Sequence, residues 1–195
     1  MLDFIKGEIV ELNPASVILE TGGLGYAVNI SLNTYSALSE KKAAKLYVYE
    51  AIREDAHTLY GFMDKEERQL FSLLVSVSGI GPNTARMILS SFSVPELENI
   101  ILSDNVNQLK GVKGIGLKTA QRVIIDLKDK VRKNPDIQGS NIFGSKINTN
   151  RDEALSALIM LGFNSAASAK VIEKIVAESP TLSLEKIIKE ALKRM

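Results

Sequence analysis

The chain has 195 residues, of which 45% are hydrophobic and 24% charged, a composition typical of a folded protein with one or two domains. It contains no cysteine, which excludes disulfides, thiolate metal sites and cysteine nucleophiles, and its single histidine, His57, argues against a Ser-His-Asp triad or a multi-histidine metal site. No apolar run reaches the roughly 18–20 residues of a membrane span, and the N-terminus has no stretch resembling a signal peptide, so we expect a cytoplasmic protein with no membrane partner.

The formal net charge of +1 conceals a gradient along the chain. Residues 1–63 carry 5 basic and 8 acidic side chains, a net charge of −3, whereas residues 64–135 carry 11 basic and 8 acidic ones, a net charge of +3. Because a polyanion is attracted to local positive charge, the middle third is where we expect a nucleic acid to bind.

The first 63 residues have the two-residue period of β-strands. The predicted strands cover residues 5–12, 16–21, 24–30, 45–53 and 57–62. A helical or irregular segment over residues 32–40 separates the third strand from the fourth. Five short strands favour a small barrel of the five-stranded OB type, with an SH3-like barrel as the alternative.

From Asp64 onward the period becomes helical. Three sets of apolar residues have the spacing i, i+3, i+4, i+7 that marks one face of a helix. These sets are Leu70, Leu73, Leu74 and Val77; Ala85, Ile88, Leu89 and Phe92; and Ala120, Val123, Ile124 and Leu127.

The third helical set repeats the second at an offset of 35 residues, and the repeat extends beyond the apolar positions. It pairs Gly79-Ile80-Gly81 with Gly114-Ile115-Gly116, Leu74 with Leu109, Val77 with Val112, and Thr84-Ala85 with Thr119-Ala120. This internal duplication of a helix–Gly-Ile-Gly–helix unit is the most specific feature of the sequence.

Residues 134–150 are rich in Asn, Gly, Ser and Pro and predict a flexible tether with a reach of roughly 20–25 Å. Residues 151–195 predict three helices, the first capped by Thr149 or Asn150 and the second by Ser165. We therefore expect a barrel domain at 1–63, a domain of paired helical units at 64–133, a linker at 134–150 and a three-helix domain at 151–195.

A Gly-x-Gly turn between two helices exposes backbone N–H groups at the start of the second helix, where they can bind an anion. Two such turns close together would bind two phosphates of a nucleic acid without reading its sequence. Lys113, Lys118 and Arg122 flank the second turn, whereas Arg86 is the basic residue near the first. The alternative is that the glycines only end one helix and begin another, but the repetition in register favours phosphate binding.

Other glycine-rich phosphate motifs do not fit. Leu117 occupies the position where a Walker A motif needs lysine, and no predicted strand precedes this segment. Thr84 and Thr119 occupy the last position of the dinucleotide-binding pattern, which requires glycine or alanine there.

Residues 73–89 and 108–130 resemble the paired helix-hairpin-helix motifs of RuvA, a family of bacterial Holliday junction branch migration proteins. Residues 1–11 resemble the opening strand of that family, and residues 52–62 resemble its acidic hairpin and last barrel strand. Residues 152–163 resemble its C-terminal helical domain, so the resemblance covers the whole chain.

The resemblance implies an α+β multidomain fold with an OB-like barrel, a double helix-hairpin-helix domain and a tethered three-helix, UBA-like domain. It implies a homotetramer or octamer that binds four-way junction DNA and holds it open in homologous recombination, DNA repair and the SOS response to DNA damage. It also implies that RuvB, a hexameric ATPase, binds the C-terminal domain, and that the RuvC resolvase is a further partner. We expect no catalytic site, cofactor or metal in the chain itself, which would act as a subunit of an ATP-dependent complex.

The resemblance assigns DNA binding to both hairpins. The candidate residues are Gly79, Gly81, Asn83, Thr84, Gly114, Gly116, Lys118, Thr119 and Arg122. The sequence departs from the family at Asn83 and Leu117, where many relatives are expected to have lysine. These departures weaken the side-chain part of the DNA contact and leave the backbone part intact.

Glu54 and Asp55 match the acidic pin of the family, which lies at the centre of the junction, although such a pair alone would indicate only a solvated turn. In the C-terminal domain, Leu158, Leu161, Phe163 and Leu192 match partner-binding positions and are expected to form an apolar patch. The alternative is that these four residues fill the core of a small bundle.

Two other functions remain as alternatives. One is a general helix-hairpin-helix DNA-binding adaptor without preference for junctions. The other is a DNA glycosylase, in which Lys118 would attack the sugar and Asp136 would assist. The position of Asp136 in the predicted linker and the unexplained barrel argue against the glycosylase.

Overall fold

The structure is a computed structural model that describes residues 1–132, 146–179 and 182–195. It divides into two compact units, Met1–Gly139 and Ser140–Met195. No helix in these described ranges is long and apolar enough to cross a membrane.

The first unit begins with a closed five-stranded barrel. Its elements are β1 (Phe4–Asn13), β2 (Ser16–Thr21), β3 (Leu24–Ile30), α1 (Leu32–Leu38), β4 (Ala43–Ile52) and β5 (His57–Phe62). The strand order around the barrel is β1-β2-β3-β5-β4, and every pair is antiparallel except β3 with β5. The five predicted strands are confirmed, and this closed order agrees with the OB type rather than the SH3-like alternative.

Alternation along the strands builds the barrel core, because every second side chain faces inward. The fully buried residues include Leu19 of β2, Val28 of β3 and Leu46 of β4. At Gly7 the backbone of β1 passes so close to β2 that a Cβ atom would lie 2.1 Å from the carbonyl oxygen of Glu20. Only glycine fits at this crossing.

Five helices follow the barrel in the same unit. They are α2 (Lys65–Val75), α3 (Pro82–Ser91), α4 (Val94–Leu102), α5 (Val106–Lys110) and α6 (Leu117–Arg132). Helices α2, α3 and α6 confirm the three predicted apolar faces, whereas α4 was not predicted. Asp64 caps α2 by accepting a hydrogen bond from the N–H of Glu67, and Ser93 and Glu96 form a capping box at α4.

The barrel has its own core, and its last strand also contributes Tyr60 and Phe62 to the core of the helices. The ring of Phe71 in α2 lies 5.1 Å from Tyr49, 5.2 Å from Tyr60 and 4.9 Å from Phe62, measured between ring centroids. These four aromatic side chains join the last two strands to the helical core. The boundary expected between residues 63 and 64 therefore lies inside one compact unit.

A buried carboxylate adds a polar link between α1 and α2. The side chain of Glu67 accepts hydrogen bonds from the hydroxyls of Ser31 at 2.6 Å and Thr34 at 3.0 Å. All three residues are buried. Desolvation raises the pKa of Glu67 above its ordinary value, while the two hydroxyl donors act in the opposite direction.

The second unit contains three helices, α7 (Lys146–Met160), α8 (Ser165–Glu178) and α9 (Leu184–Arg194), as predicted. Its buried core consists of Ala154, Leu158, Ile172, Ile175, Ile187 and Ala191. Because this core is small, truncation of any one of its large side chains should markedly lower the stability of the unit.

Two boundary predictions for this unit are wrong. Helix α7 already begins at Lys146, so neither Thr149 nor Asn150 caps it. Asn164 caps α8 in place of Ser165, because its side-chain oxygen accepts hydrogen bonds from the N–H groups of Ala166 and Ala167. Residues 134–145 of the predicted linker lie outside the described residues.

Candidate nucleic-acid interface

The two Gly-Ile-Gly turns have the same internal hydrogen bonds, 35 residues apart. The N–H of Ile80 donates to the carbonyl of Val77 at 3.0 Å, and the N–H of Ile115 donates to that of Val112 at 3.1 Å. Both isoleucines are buried. The duplication in sequence is therefore a duplication in backbone structure, with each isoleucine anchoring its turn in the shared core.

The first glycine of each turn requires a left-handed backbone. Gly79 has φ +93° and Gly114 has φ +89°, a region that residues with a side chain rarely adopt. Gly81 and Gly116 lie outside this region, and a Cβ atom at either would meet no atom within 4 Å. Gly116 therefore does not need the conformational freedom of glycine, and the absence of a side chain there leaves the surface open.

Each turn leaves several backbone donors without a partner. Within residues 1–132, the N–H groups of Gly79 and Gly81 donate no hydrogen bond, nor do those of Gly114 and Gly116. The same holds for residues 83 and 84 at the start of α3 and residues 117–119 at the start of α6. The positive ends of two helix dipoles coincide with these donors, so each turn presents a favourable surface to an anion.

The two turns lie next to each other. A Cβ atom built on Gly79 would lie 4.0 Å from the hydroxyl oxygen of Thr119, at the start of the other helix. Gly79, Gly81, Thr84, Gly114, Gly116 and Thr119, all predicted DNA-binding residues, thus belong to one continuous surface.

Basic side chains are distributed unequally over this surface. Lys118 and Arg122 are exposed beside the second turn. Arg122 forms an ion pair with Asp126, with 3.6 Å between Nε and Oδ2. In the first turn, Asn83 accepts a hydrogen bond of 3.1 Å from the hydroxyl of Tyr60. The first turn is therefore tied to the barrel and carries no basic side chain at the position of Lys118.

Arg86, the basic residue expected near the first turn, has a structural role. Its guanidinium donates to the carbonyl oxygen of Ala15 at 2.8 Å and to the side-chain oxygen of Asn29 at 3.3 Å. It fixes α3 to the barrel. Helical spacing alone could not reveal this role, because the two acceptors lie more than fifty residues away, in the β1–β2 turn and in β3.

Glu54 and Asp55 occupy the tip of the β4–β5 hairpin, as predicted. Both are exposed, and the turn is closed by a hydrogen bond of 2.8 Å from the N–H of Arg53 to the carbonyl of Ala56. Among residues 1–132, neither carboxylate makes an ion pair. His57 lies at an ordinary strand position, where it is 3.3 Å from Glu50.

The predicted apolar patch of the second unit is reduced from four residues to three. Leu158 is fully buried in the core, so its assignment to the surface is wrong. Leu161, Phe163 and Leu192 are 59%, 37% and 42% exposed.

A Schellman motif ends α7 and explains why Leu158 is buried whereas Leu161 and Phe163 are exposed. The N–H of Phe163 donates to the carbonyl of Leu158, and the N–H of Gly162 donates to that of Ile159, with Gly162 at φ +93°. The turn carries Leu161 and Phe163 off the helix face that contains Leu158.

Three family models match the chain, in the same order as its structural elements. They describe the RuvA N-terminal domain over residues 1–61, a SAM-like helix-hairpin-helix tandem over residues 71–129 and the RuvA C-terminal domain over residues 149–195. The two RuvA models together cover more than half of the chain, and they include the barrel and the three-helix unit.

Curated relatives are similar along their whole length. Proteins named Holliday junction branch migration complex subunit RuvA are 57% identical in Bacteroides fragilis and 49% identical in Christiangramia forsetii, with all of both chains covered. The protein of that name in Azobacteroides pseudotrichonymphae is 59% identical, with 99% of each chain covered. The order of barrel, duplicated hairpins and three-helix unit, together with these identities over the full length, shows that the chain belongs to the RuvA family.

Proposed function

We propose that the protein is the non-catalytic, junction-binding subunit of a branch migration complex. It binds four-way junction DNA through backbone contacts to phosphates and acts in the cytoplasm, in recombination and repair. The observation that carries this proposal is the pair of adjacent Gly-Ile-Gly turns, each with N–H groups at a helix start that have no partner among residues 1–132. The names of these relatives support a four-way junction as the DNA substrate and membership of a complex.

The contacts to DNA divide into two kinds. The backbone donors around Gly79, Gly81, Gly114 and Gly116 fix phosphates in position, and they carry no information about base sequence. Lys118 and Arg122 add positive charge at the second turn, whereas Asn83 contributes none at the first. Binding should therefore depend on salt and on DNA shape more than on DNA sequence.

The acidic tip makes the protein favour a four-way junction over continuous duplex. Glu54 and Asp55 lie on an exposed turn and form no ion pair with any residue that the structure describes. Continuous duplex across this tip would bring phosphates close to the carboxylates, at a Coulombic cost that grows as water is excluded. A junction with separated arms avoids that contact, so the acids lower affinity for duplex more than affinity for the junction.

The three-helix unit is proposed to bind the ATPase RuvB. Leu161, Phe163 and Leu192 expose apolar surface that the bundle itself does not bury. The proposed assembly is a homotetramer or octamer, with RuvC as a further partner, and these assignments rest on membership of the RuvA family. Sedimentation of the full chain measures the oligomer, and stimulation of RuvB ATPase activity measures the partner contact.

The DNA-binding proposal is tested by exchanging one lysine. We expect Lys118→Ala to weaken binding to a four-way junction several-fold and to make the slope of log K against log salt shallower by about 0.9, because one phosphate contact is lost. The matched control is Lys41→Ala, an exposed lysine between α1 and β4 at the far end of β4 from the acidic tip. An affinity and a slope in Lys118→Ala equal to those of the control would contradict the proposal.

The glycosylase alternative assigns chemistry to the same lysine. Asp136, its proposed assistant, lies outside the described residues. Incubation of the protein with duplexes that contain damaged bases would reveal strand cleavage or release of a base. Either product, lost in Lys118→Ala, would favour the enzyme over the non-catalytic subunit.

A further inference from the structure

A narrow cleft of about 170 Å³ separates the β4–β5 hairpin from the N-terminus of α3. Arg53, Thr58 and Tyr60 line it from the hairpin, and Gly81 and Asn83 line it from the first Gly-Ile-Gly turn. The cleft therefore joins the barrel, the base of the acidic tip and the first hairpin in one small space.

Strand pairing explains why Arg53 reaches this cleft. In the β4–β5 ladder, Tyr49 pairs with Tyr60 and Ala51 pairs with Thr58. The N–H of Arg53 continues the ladder by bonding to the carbonyl of Ala56. Because side chains alternate along a strand, Arg53 shares the face of Tyr49, which packs against Phe71 of α2.

The first turn lacks a basic side chain of its own. The internal repeat places Asn83 at the position equivalent to Lys118, and Met87 at the position equivalent to Arg122. Arg86 is already engaged with the carbonyl of Ala15. The first turn thus has the backbone donors of the second but none of its cations.

Arg53 has a side chain free to supply that charge. It is exposed, and within residues 1–132 its guanidinium makes neither an ion pair nor a side-chain hydrogen bond. A guanidinium is planar and matches two oxygens of a phosphate at once. A cleft with this group on one side and the N–H of Gly81 on the other is suited to a single phosphodiester group.

We propose that Arg53 is a DNA-binding residue that binds a backbone phosphate together with the first turn. It supplies the positive charge that Lys118 supplies at the second turn and that Asn83 does not supply at the first. The inference rests on the proposed function and extends it from the hairpins to the barrel. Because Arg53 directly precedes Glu54 and Asp55, the gripped phosphate fixes how far the DNA strand lies from the acidic tip. Arg53 therefore binds the strand and also positions it for discrimination by the acids.

The test compares Arg53→Gln and Arg53→Lys with the control Lys41→Gln, which lies at the opposite end of β4 from Arg53. We expect Arg53→Gln to bind the four-way junction about five- to tenfold more weakly, with a salt slope shallower by about 0.9. Arg53→Lys should keep the slope of the wild type and lose only part of the affinity, because a lysine keeps the charge without the planar fork. All three variants should melt like the wild type, because both side chains are exposed and, within residues 1–132, neither makes an ion pair or a side-chain hydrogen bond.

The outcomes separate this inference from the proposed function. An Arg53→Gln slope equal to that of Lys41→Gln, in a protein in which Lys118→Ala still weakens binding, would refute the role of Arg53 and leave the hairpin proposal standing. An equal loss in Arg53→Gln and Lys41→Gln would also refute it, because the effect would then be unspecific charge. If Lys118→Ala too leaves binding unchanged, the proposed function itself fails.

Discussion

The two glycines of the second turn should respond differently to the same substitution. Gly114 has φ +89°, whereas Gly116 lies outside the left-handed region, and a Cβ at either position would meet no atom within 4 Å. Steric clash is therefore absent at both, and backbone strain acts at Gly114 alone. Alanine in the left-handed region costs roughly 1–2 kcal/mol, so Gly114→Ala should lower the unfolding temperature by roughly 3–8 °C in a unit of this size.

Gly116→Ala should leave the unfolding temperature within about 1 °C of the wild type, because an exposed substitution without strain changes stability little. Its methyl group would instead stand where a phosphate approaches the unpartnered N–H groups, so junction binding should weaken. Differential scanning calorimetry and a junction-binding titration on both variants measure the two effects. Equal destabilisation by the two variants would refute the strain argument, and wild-type binding by Gly116→Ala would refute the phosphate contact.

Three further predictions concern other parts of the chain. Replacing Glu54 with Gln and Asp55 with Asn should strengthen binding to duplex and lower the junction-to-duplex ratio of affinities at low salt, where charge effects are largest; an unchanged ratio contradicts the discriminating role. Leu158→Ala should destabilise the second unit by about 2–4 kcal/mol because it opens a cavity, whereas Leu161→Ala should melt like the wild type and weaken stimulation of RuvB; similar melting of the two variants would contradict the placement of Leu158 in the core. Burial raises the pKa of Glu98 from 4.5 to about 7, so its folded form binds the proton more tightly and the stability it contributes is lost as pH rises from about 4.5 to 7. This pKa shift corresponds to at most about 3 kcal/mol of stability, reduced to about 1 kcal/mol because the side chain is partly exposed. Glu98→Gln should therefore stabilise the protein by about 1 kcal/mol at pH 8 and have little effect at pH 4.5. The same change in stability at both pH values would contradict the raised pKa of Glu98.

The barrel was predictable because burial on one face imposes alternation on each strand. Helices α2, α3 and α6 were predictable because each has two turns of apolar residues at helical spacing. Helix α4 was missed because only Leu97, Ile100 and Ile101 form its buried face, too short a pattern to stand out beside a proline. The start of α7 was missed because polar residues of its first turn resemble those of the linker.

The site was predictable in its backbone and less so in its side chains. The repeat identified both glycine turns, since their geometry depends on residues close together in sequence. The engagement of Arg86 with Ala15 and of Asn83 with Tyr60 depends on contacts between distant segments, which no local pattern records. Leu158 and Leu161 share a helical spacing, but the turn at Gly162 ends the helix between them and separates their environments.

The central claim is that this chain recognises the shape of a four-way junction by holding phosphates on two adjacent glycine turns. The most direct measurement is the affinity of the full chain for a four-way junction and for duplex of equal length and composition, over a series of salt concentrations. Phosphate binding by the two turns predicts tighter binding to the junction than to duplex at every salt concentration, and no dependence on base sequence. Equal affinity for junction and duplex, after correction for DNA length, would contradict it and favour a general DNA-binding adaptor.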